Sequence, residues 1–252
     1  MRRIHLTVEY DGTDYAGWQR QSNAMTVQEQ LERAVKRLTG ETVCVSGASR
    51  TDAGVHALGQ SAHFDTESRI PADKFSFALN TLLPPDIRVV RSEEVSAEFH
   101  SRFSGHGKRY RYLIHAAPHA GALDRRTHAH VIYPLDVGKM RREALDLVGT
   151  HDFAAFAASG SVVKDTVRTI YRVEVSQHGS EICLIVEGNG FLYNMVRIIA
   201  GTLIGVGSGK LAPGAFRRAI ESGSRLDLGV TAPAHGLTLM EVFYTLEEEN
   251  RN

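Results

Sequence analysis

The sequence has little cysteine and no excess of either charge, and each absence excludes a class of protein. Its two thiols, Cys44 and Cys183, lie far apart in strand-like apolar runs and have no zinc-site spacing. This usage suits a reducing compartment such as the cytoplasm. Lys+Arg and Asp+Glu each number 29, so the formal net charge is zero. A neutral total argues against general electrostatic adhesion to nucleic acid, although it leaves room for a local basic face.

Signatures of cofactor sites and of membrane insertion are also missing. The chain has no phosphate-binding loop, no dinucleotide fingerprint and no serine or cysteine nucleophile motif, so no cofactor is implied. His128-Ala129-His130 places two imidazoles on one side of a strand, but no third metal ligand is obvious, and we expect no metal site. Arg2 and Arg3 lead straight into a strand without an apolar signal region. We therefore expect a cytoplasmic protein without a membrane segment.

The first half of the chain reads as β-α-β-β-α-β. Apolar and polar residues alternate over 4–10, the period of a half-buried strand. Thr26-Val27-Gln28-Glu29 is a capping box that begins a helix, and Gly40 ends it. The remaining predicted elements are a strand over 42–46, a strand over 60–65, a helix that begins at Pro71 and a strand over 87–95.

The second half repeats this order with one helix inserted. It has strands over 108–115, 167–176, 182–187 and 237–245, helices over 136–148 and 191–206, and a short extra helix opened by Pro213. The sequence therefore predicts an α+β fold of two tandem ferredoxin-like halves, 1–105 and 106–252, with mostly antiparallel sheets that meet at a central cleft. RNA-recognition modules share this architecture, so an RNA partner is plausible by fold analogy.

The segment from Gly47 to His56 joins two predicted strands and is the focal loop of the sequence. It brings an acid, Asp52, and a base, Arg50, into a turn bracketed by glycines. The same residues are also typical of an ordinary polar hairpin loop that faces water. Trp18, the only tryptophan, lies in another loop, where it either caps the core or touches a partner.

Two further features allow both a functional and a structural interpretation. Arg197 is the only charged residue between Asn189 and Gly209, in a helix apolar nearly all round, so it requires a carboxylate partner. That partner is either a core acid or the acid of an active site. Tyr110 lies in a strand rich in Arg and Lys, a pattern typical of base stacking with phosphate contact, and also of an ordinary strand.

Taken together, the motifs resemble the bacterial tRNA pseudouridine synthase A family over nearly the whole chain. They are Arg50-Thr51-Asp52-Ala53-Gly54-Val55-His56-Ala57, Glu9-Tyr10-Asp11-Gly12, Tyr15, Gly17-Trp18-Gln19-Arg20-Gln21, Lys108-Arg109-Tyr110-Arg111-Tyr112, Asn194-Met195-Val196-Arg197-Ile198-Ile199-Ala200-Gly201 and Gly236-Leu237-Thr238-Leu239. The resemblance implies a homodimeric isomerase that converts uridine to pseudouridine at positions 38, 39 and 40 of the tRNA anticodon stem-loop. It also implies that neither a metal nor an organic cofactor is needed.

The resemblance assigns roles to individual residues. Asp52 matches the catalytic acid and Arg50 the arginine beside it. Tyr110 matches the tyrosine that packs on the target base, and Arg197 the cation that pairs with the catalytic acid. Leu239 resembles an apolar contact near the base, a weaker match that is equally typical of strand core.

One position departs from the family pattern, in which glycine usually precedes the arginine of the focal loop. Here the residue is Ser49. If Ser49 has a positive φ, we expect backbone strain of about 1 kcal/mol or more, without loss of activity.

Phosphate contacts and alternative functions complete the predictions. The candidate phosphate contacts are Lys108, Arg109, Arg125 and Arg126. A non-catalytic tandem RNA-binding protein is the main alternative function. A carboxylate-dependent glycosidase is weaker because no second catalytic acid stands out.

Overall fold

A computed structural model describes residues 1–157 and 165–244. The chain divides into two compact units, Met1–His106 together with the described residues from Thr238, and Gly107–Leu237. Each unit combines helices with a mostly antiparallel sheet, so the predicted α+β class is confirmed. No helix in the described ranges is long and apolar enough to cross a membrane.

The sheet of the first unit is built around β1, Arg2–Tyr10. Its predicted alternation is confirmed, since Ile4, Leu6 and Val8 are fully buried between polar neighbours. β1 pairs antiparallel with β3, His56–Thr66, and with β4, Ile87–Val95. This gives the strand order β4-β1-β3. One face of the sheet is thus apolar because every second side chain of the central strand points into the core.

The helices of the first unit also agree with the sequence patterns. α1 spans Val27–Thr39; the Thr26 side chain accepts a hydrogen bond from the Glu29 amide, and Gly40 ends the helix with φ 80°. α2 spans Phe75–Asn80 and follows a short 3-10 turn, Ala72–Lys74. In α1 both ends are fixed by local chemistry, which explains why its limits could be predicted.

Two strands differ from the prediction along the outer edge of β3. β2 contains only Ser46–Gly47, paired with His63 and Ala62, whereas a strand over 42–46 was expected. Residues 42–45 leave the sheet, and the Val45 amide bonds to the Glu32 carboxylate at 3.1 Å instead of to a strand. β10, Leu237–Phe243, occupies the other part of the edge in parallel register, with Thr238 opposite His56. The sequence order had grouped this closing strand with the second half.

The second unit has the strand order β5-β9-β8-β7. The strands are β5, Gly107–Ala116; β6, Ala129–Val131, which pairs in parallel with β5; β7, Gly149–Asp152; β8, Val167–His178; and β9, Glu181–Gly188. The predicted strands over 167–176 and 182–187 are confirmed and form a hairpin, in which Gly179 takes the left-handed conformation, φ 60°, that the turn requires. β6 and β7 were not predicted, because each is too short to show a sequence period.

The described residues of the second unit form three α-helices: α3, Val137–Ala144; α4, Met195–Gly207; and α5, Ala215–Ser222. α3 continues as a 3-10 turn through Leu147, which accounts for the longer predicted helix. α4 begins four residues later than the predicted Phe191, because Asn194 has φ 61° and so cannot lie within a helix. The ferredoxin-like description of both halves remains a prediction.

Candidate active site

The focal loop lies between β2 and β3 in the first unit and turns sharply at Asp52. The Val55 amide donates to the Asp52 carbonyl oxygen at 3.1 Å, which closes a four-residue turn. Gly54 is the third residue of that turn and has φ 77°. A type II turn requires a positive φ at this position, so glycine fits it without strain. The Asp52 side chain is half-buried, whereas Arg50 is exposed.

The segment that follows β1 holds the focal loop through backbone hydrogen bonds. The Trp18 amide donates to the Thr51 carbonyl at 3.1 Å, and the Gly54 amide donates to the Tyr15 carbonyl at 3.3 Å. The Tyr10 hydroxyl and the Thr51 hydroxyl share a buried hydrogen bond of 2.7 Å. Most of these bonds join backbone groups. Most side-chain substitutions would therefore leave the residues on both sides of Asp52 in position.

Two glycines allow this segment to approach the focal loop at backbone contact. Gly17 has φ 88°, and a Cβ atom there would lie 2.4 Å from the Thr51 carbonyl oxygen and 3.0 Å from the Asp52 carbonyl carbon. A Cβ atom on Gly12 would lie 2.0 Å from the Val55 carbonyl oxygen. Any side chain at either position would displace the backbone that carries Asp52.

Ser49 fits the focal loop without strain. Asn194 is the only non-glycine residue with a positive φ in the described part of the chain, so the condition for strain at Ser49 is not met. The Ser49 amide donates to the Gln60 side-chain oxygen at 3.1 Å, and the Gln60 side-chain nitrogen donates to the Ser49 carbonyl at 2.7 Å. Gln60 is fully buried. The sequence does not indicate this residue, since a glutamine in a strand gives no signal of such a contact.

Trp18 and His56 complete the surroundings of the focal loop. Trp18 is only 2% exposed, so of its two predicted roles, capping the core and touching a partner, the first is confirmed. Its ring covers Gly47, where a Cβ atom would lie 2.4 Å from the indole nitrogen. His56 Nδ1 accepts a hydrogen bond from the Gly12 amide at 3.0 Å and lies 3.1 Å from the Asp11 carboxylate. The Asp11-Gly12 corner thus packs directly on the end of the focal loop.

In the second unit, β5 carries the predicted tyrosine and basic residues. Tyr110 is 6% exposed and packs edge-to-face on Phe191, with ring centroids 5.2 Å apart. Arg109 Nε donates to the buried Glu187 carboxylate at 2.7 Å. This ion pair gives the Arg109 guanidinium a structural partner, while Lys108 is half-buried at the start of the strand. The predicted phosphate contacts of both residues remain predictions.

Arg197 lies in the first turn of α4, and two groups of the second unit hold its guanidinium. Nε donates to the Ala232 carbonyl at 2.8 Å, and Nη1 donates to the Asn194 side-chain oxygen at 2.7 Å. The Ala232 amide in turn donates to the Arg197 carbonyl at 3.0 Å. Asn194 was not predicted as a site residue. Its signal is the amino-acid type, because asparagine tolerates a left-handed backbone better than most residues.

Tyr112 fixes the segment after α5 to β5. It is fully buried, and its hydroxyl donates to the Pro233 carbonyl at 2.8 Å. Burial raises the pKa of the Tyr112 phenol well above its usual range, although the positive charge of Arg197 opposes the shift. Tyr112 therefore stays neutral and acts as a hydrogen-bond donor that holds the chain near Ala232, the Arg197 partner.

The other predicted residues have simpler surroundings. Leu239 is fully buried in β10, opposite Ala57. Arg125 and Arg126 are exposed. The predicted pairing of Asp52 with Arg197 joins residues of different units and remains a prediction. Within the described residues, no three His, Cys, Asp or Glu side chains are placed to hold a metal ion.

Comparison with known proteins identifies the family. A sequence model described as tRNA pseudouridine synthase matches residues 6–104 and 144–245. "tRNA pseudouridine synthase A" of Ruminiclostridium cellulolyticum is 55% identical over 97% of this chain and 100% of its own length. The protein of the same name from Acetivibrio thermocellus is 53% identical over 97% of this chain and 100% of its length.

Among solved structures, a chain in "Crystal Structure of a Cbf5-Nop10-Gar1 Complex" matches with a TM-score of 0.40 and 11% identity, over 94% of this chain and 58% of that one. This likeness is too weak to carry an argument. The family model and the curated relatives are sufficient by themselves, because they extend over most of the sequence at high identity. The chain belongs to the tRNA pseudouridine synthase family.

Proposed function

We propose that the chain converts uridine to pseudouridine at positions 38, 39 and 40 of the tRNA anticodon stem-loop. Isomerisation of uridine in tRNA follows from family membership. The three positions rest on resemblance to the bacterial synthase A family. The observation that carries the assignment of the active site is Asp52, a half-buried carboxylate at the turn of a loop whose backbone is held on both sides.

The chemistry explains why one fixed carboxylate is central. Uracil must leave the ribose C1′ as the N1–C1′ bond breaks, rotate, and form a C5–C1′ bond; the proton on C5 is lost and N1 gains one. Substrate and product are isomers, so no electron acceptor is needed. Asp52 either attacks C1′ as a nucleophile or removes the C2′ proton to give a glycal. Both courses require an ionised carboxylate at a fixed position.

The remaining site residues then take supporting roles. The target uridine must leave its stack before reaction, at a cost of a few kcal/mol. Tyr110 packs on the flipped base, with Leu239 as a further apolar contact, and Arg50 fills the space that the base vacates. Arg197 pairs with the Asp52 carboxylate and favours its charged form. The hydrogen bonds from Arg197 to Ala232 and Asn194 support this role, because they fix the guanidinium before substrate binds.

Basic residues outside this group are proposed to contact tRNA phosphates. Lys108, Arg109, Arg125 and Arg126 are the candidates. Neutralising an exposed member, as in Arg125→Gln, is expected to weaken tRNA binding and to reduce the slope of log affinity against log salt by about 1. Binding titrations between low and physiological salt measure this slope. An unchanged slope would place Arg125 away from the RNA.

Homodimer formation, a cytoplasmic location and two tandem ferredoxin-like halves also belong to this proposal. The first unit supports the last point, because it has the element order β-α-β-β-α-β and the strand order β4-β1-β3 with β2 beside β3. Sedimentation of the full chain at micromolar concentration tests the dimer, and a monomer at all concentrations would reject it.

The proposed specificity is tested by mapping pseudouridine in defined transcripts. One tRNA transcript carries uridine at positions 38, 39 and 40, and a matched transcript carries cytidine there. After incubation with the protein, we expect pseudouridine at those three positions of the first transcript and none in the second. Pseudouridine elsewhere in the tRNA would reject the positions. Bound RNA without any pseudouridine would instead favour the non-catalytic RNA-binding alternative.

A further inference from the structure

The turn over 100–104, between β4 and β5, presents an aromatic ring to solvent. Phe103 is 75% exposed, although phenylalanine is normally removed from water. The Phe103 amide donates to the His100 carbonyl at 3.1 Å, and the Ser104 amide donates to the same oxygen at 2.9 Å. The His100 amide returns a bond of 2.9 Å to the Ser104 hydroxyl. The 100–104 turn thus has a defined backbone.

Ser101 anchors the 100–104 turn in the first unit. It is fully buried, and its hydroxyl and amide lie 2.9 and 3.2 Å from His63 Nδ1 on β3. Its carbonyl accepts a hydrogen bond of 2.7 Å from the Tyr244 hydroxyl. The exposed ring is therefore carried by a backbone fixed at its base, so little conformational entropy would be lost when a ligand stacks on it.

Two polar groups flank the Phe103 ring. The His100 ring packs against it at 4.4 Å between centroids, and the Arg102 guanidinium lies 5.6 Å from its centroid. Within the described ranges, no carboxylate lies at ion-pair distance from Arg102. Residues 99–123 contain neither Asp nor Glu. The surroundings of the ring therefore offer an aromatic face together with an uncompensated positive charge.

A second exposed phenylalanine in the same unit provides an internal comparison. Phe77 on α2 is 69% exposed, and Lys74 lies 5.4 Å from its ring centroid. The Lys74 ammonium, however, forms an ion pair of 3.0 Å with Asp73. Phe77 therefore has the exposure of Phe103 and a nearby cation, but that cation is already neutralised.

We propose that the 100–104 turn is a base-stacking site for an unpaired nucleotide of the bound tRNA, with the base on Phe103 and a neighbouring phosphate on Arg102. Aromatic rings next to basic groups recognise single-stranded RNA in this way, because every base has a face that can stack and every nucleotide has a phosphate. The inference rests on the proposed function, since it assumes that tRNA is the ligand, and it adds a contact distinct from the active-site residues.

The test compares Phe103→Leu, Phe103→Trp, Arg102→Gln and the control Phe77→Leu in the full-length protein. tRNA affinity is measured by fluorescence anisotropy, and pseudouridine formation under single-turnover conditions at saturating tRNA. Phe103→Leu is expected to weaken binding about 5- to 150-fold, the range of one lost stacking contact. Phe103→Trp should retain affinity, Arg102→Gln should weaken it and flatten its salt dependence, and Phe77→Leu should leave it unchanged.

The outcomes separate this inference from the proposed function. Wild-type affinity in Phe103→Leu would overturn the stacking site while pseudouridine still forms, whereas failure of the proposed function appears as no pseudouridine with the wild-type protein. Equal weakening in Phe77→Leu would also overturn it, because the effect would then not depend on the 100–104 turn. Loss of self-association in Phe103→Leu, measured by sedimentation, would overturn the stacking site as well. It would show that the ring contacts a second copy of the chain.

Discussion

Asp52 and Arg197, the two charged residues central to the proposed chemistry, are positioned by different means. The backbone around Asp52 is held by amide–carbonyl bonds to Tyr15 and Trp18 and by direct backbone approach at Gly17. Arg197 is held at its side chain, by the Asn194 amide oxygen and the Ala232 carbonyl. Backbone bonds thus fix the chain on both sides of Asp52, and side-chain hydrogen bonds fix the guanidinium of Arg197.

This difference teaches which substitutions should damage the surroundings of Asp52 and which those of Arg197. A backbone-held residue tolerates changes in neighbouring side chains but not an added Cβ atom where two chain segments touch. A residue held through its side chain depends on the groups that accept its hydrogen bonds. The predictions below test that distinction, in order of decreasing effect.

Among the substitutions that leave Asp52 and Arg197 themselves unchanged, Gly17→Ala is expected to have the largest effect. The new Cβ atom would lie 2.4 Å from the Thr51 carbonyl oxygen, and φ 88° is unfavourable for alanine. The focal loop must move, and we expect pseudouridine formation to fall at least about a hundredfold, because a displacement of about 1 Å in a catalytic group has such an effect. Single-turnover rates measure it.

Gly40→Ala is the matched control for this substitution. Gly40 has a similar φ of 80°, but a Cβ atom there meets no atom within 4 Å. We expect a stability loss of about 1 kcal/mol and an unchanged rate. If both variants lost activity equally, backbone strain alone would explain the result, and the close approach to the focal loop would have no special role.

Asn194→Gly, which changes the surroundings of Arg197, should have an intermediate effect. Glycine accepts φ 61°, so the substitution removes the amide oxygen that bonds to Arg197 Nη1 without straining the backbone. We expect the single-turnover rate to fall about tenfold, equivalent to about 1.4 kcal/mol, with a melting temperature near that of the wild type. Asn194→Ala should lose the same contact and also some stability. A normal rate in Asn194→Gly would show that Arg197 does not depend on this bond.

The prediction with the smallest expected effect on the reaction rate concerns the pH dependence of the stability of the first unit. Burial, with help from nearby His100 and Arg3, lowers the pKa of His63 to about 4. In the unfolded chain His63 titrates near 6.5. Between these values the unfolded chain binds more protons, so stability is highest above pH 6.5 and falls as the pH drops toward 4.

We expect His63 to account for roughly 2 kcal/mol of this loss, after allowing for partial solvent screening. Denaturant titrations at pH 7 and pH 4.5 measure it, with His63→Gln compared with the wild type. A glutamine side chain cannot be protonated in this range, so the variant should lose less stability between the two pH values. Equal losses in both proteins would assign the pH dependence to other groups.

The sequence predicted the elements whose limits depend on local chemistry. The alternation in β1, the Thr26 cap and the Gly40 stop all act within a few residues, and all three agree with the structure. The limits of β2 and the pairing of β10 both depend on β3, which is remote in sequence. The limits of β2 were predicted wrongly, and the pairing of β10 was not predicted. Sequence patterns do not show which strands pair when the strands are remote from each other in the chain.

The same distinction applies to the candidate site. Glycines on both sides of Asp52 indicated the focal loop, because the conformational freedom of glycine follows from its residue type alone. Gln60 gave no signal and Asn194 only its residue type, since an amide side chain can bond to any backbone or side-chain group that the fold brings near it. The residues proposed to perform the chemistry were thus easier to find than those that hold them.

The most direct test of the account is the single-turnover rate of Asp52→Asn on a tRNA transcript, with Asp14→Asn, at an exposed position of the segment after β1, as control. Circular dichroism tests whether both variants fold, and affinity measurements test whether both bind tRNA. The account predicts a rate at least about a thousandfold below wild type for Asp52→Asn, because the amide can neither attack C1′ nor take the C2′ proton, and a normal rate for Asp14→Asn. A wild-type rate in folded, tRNA-binding Asp52→Asn would contradict it.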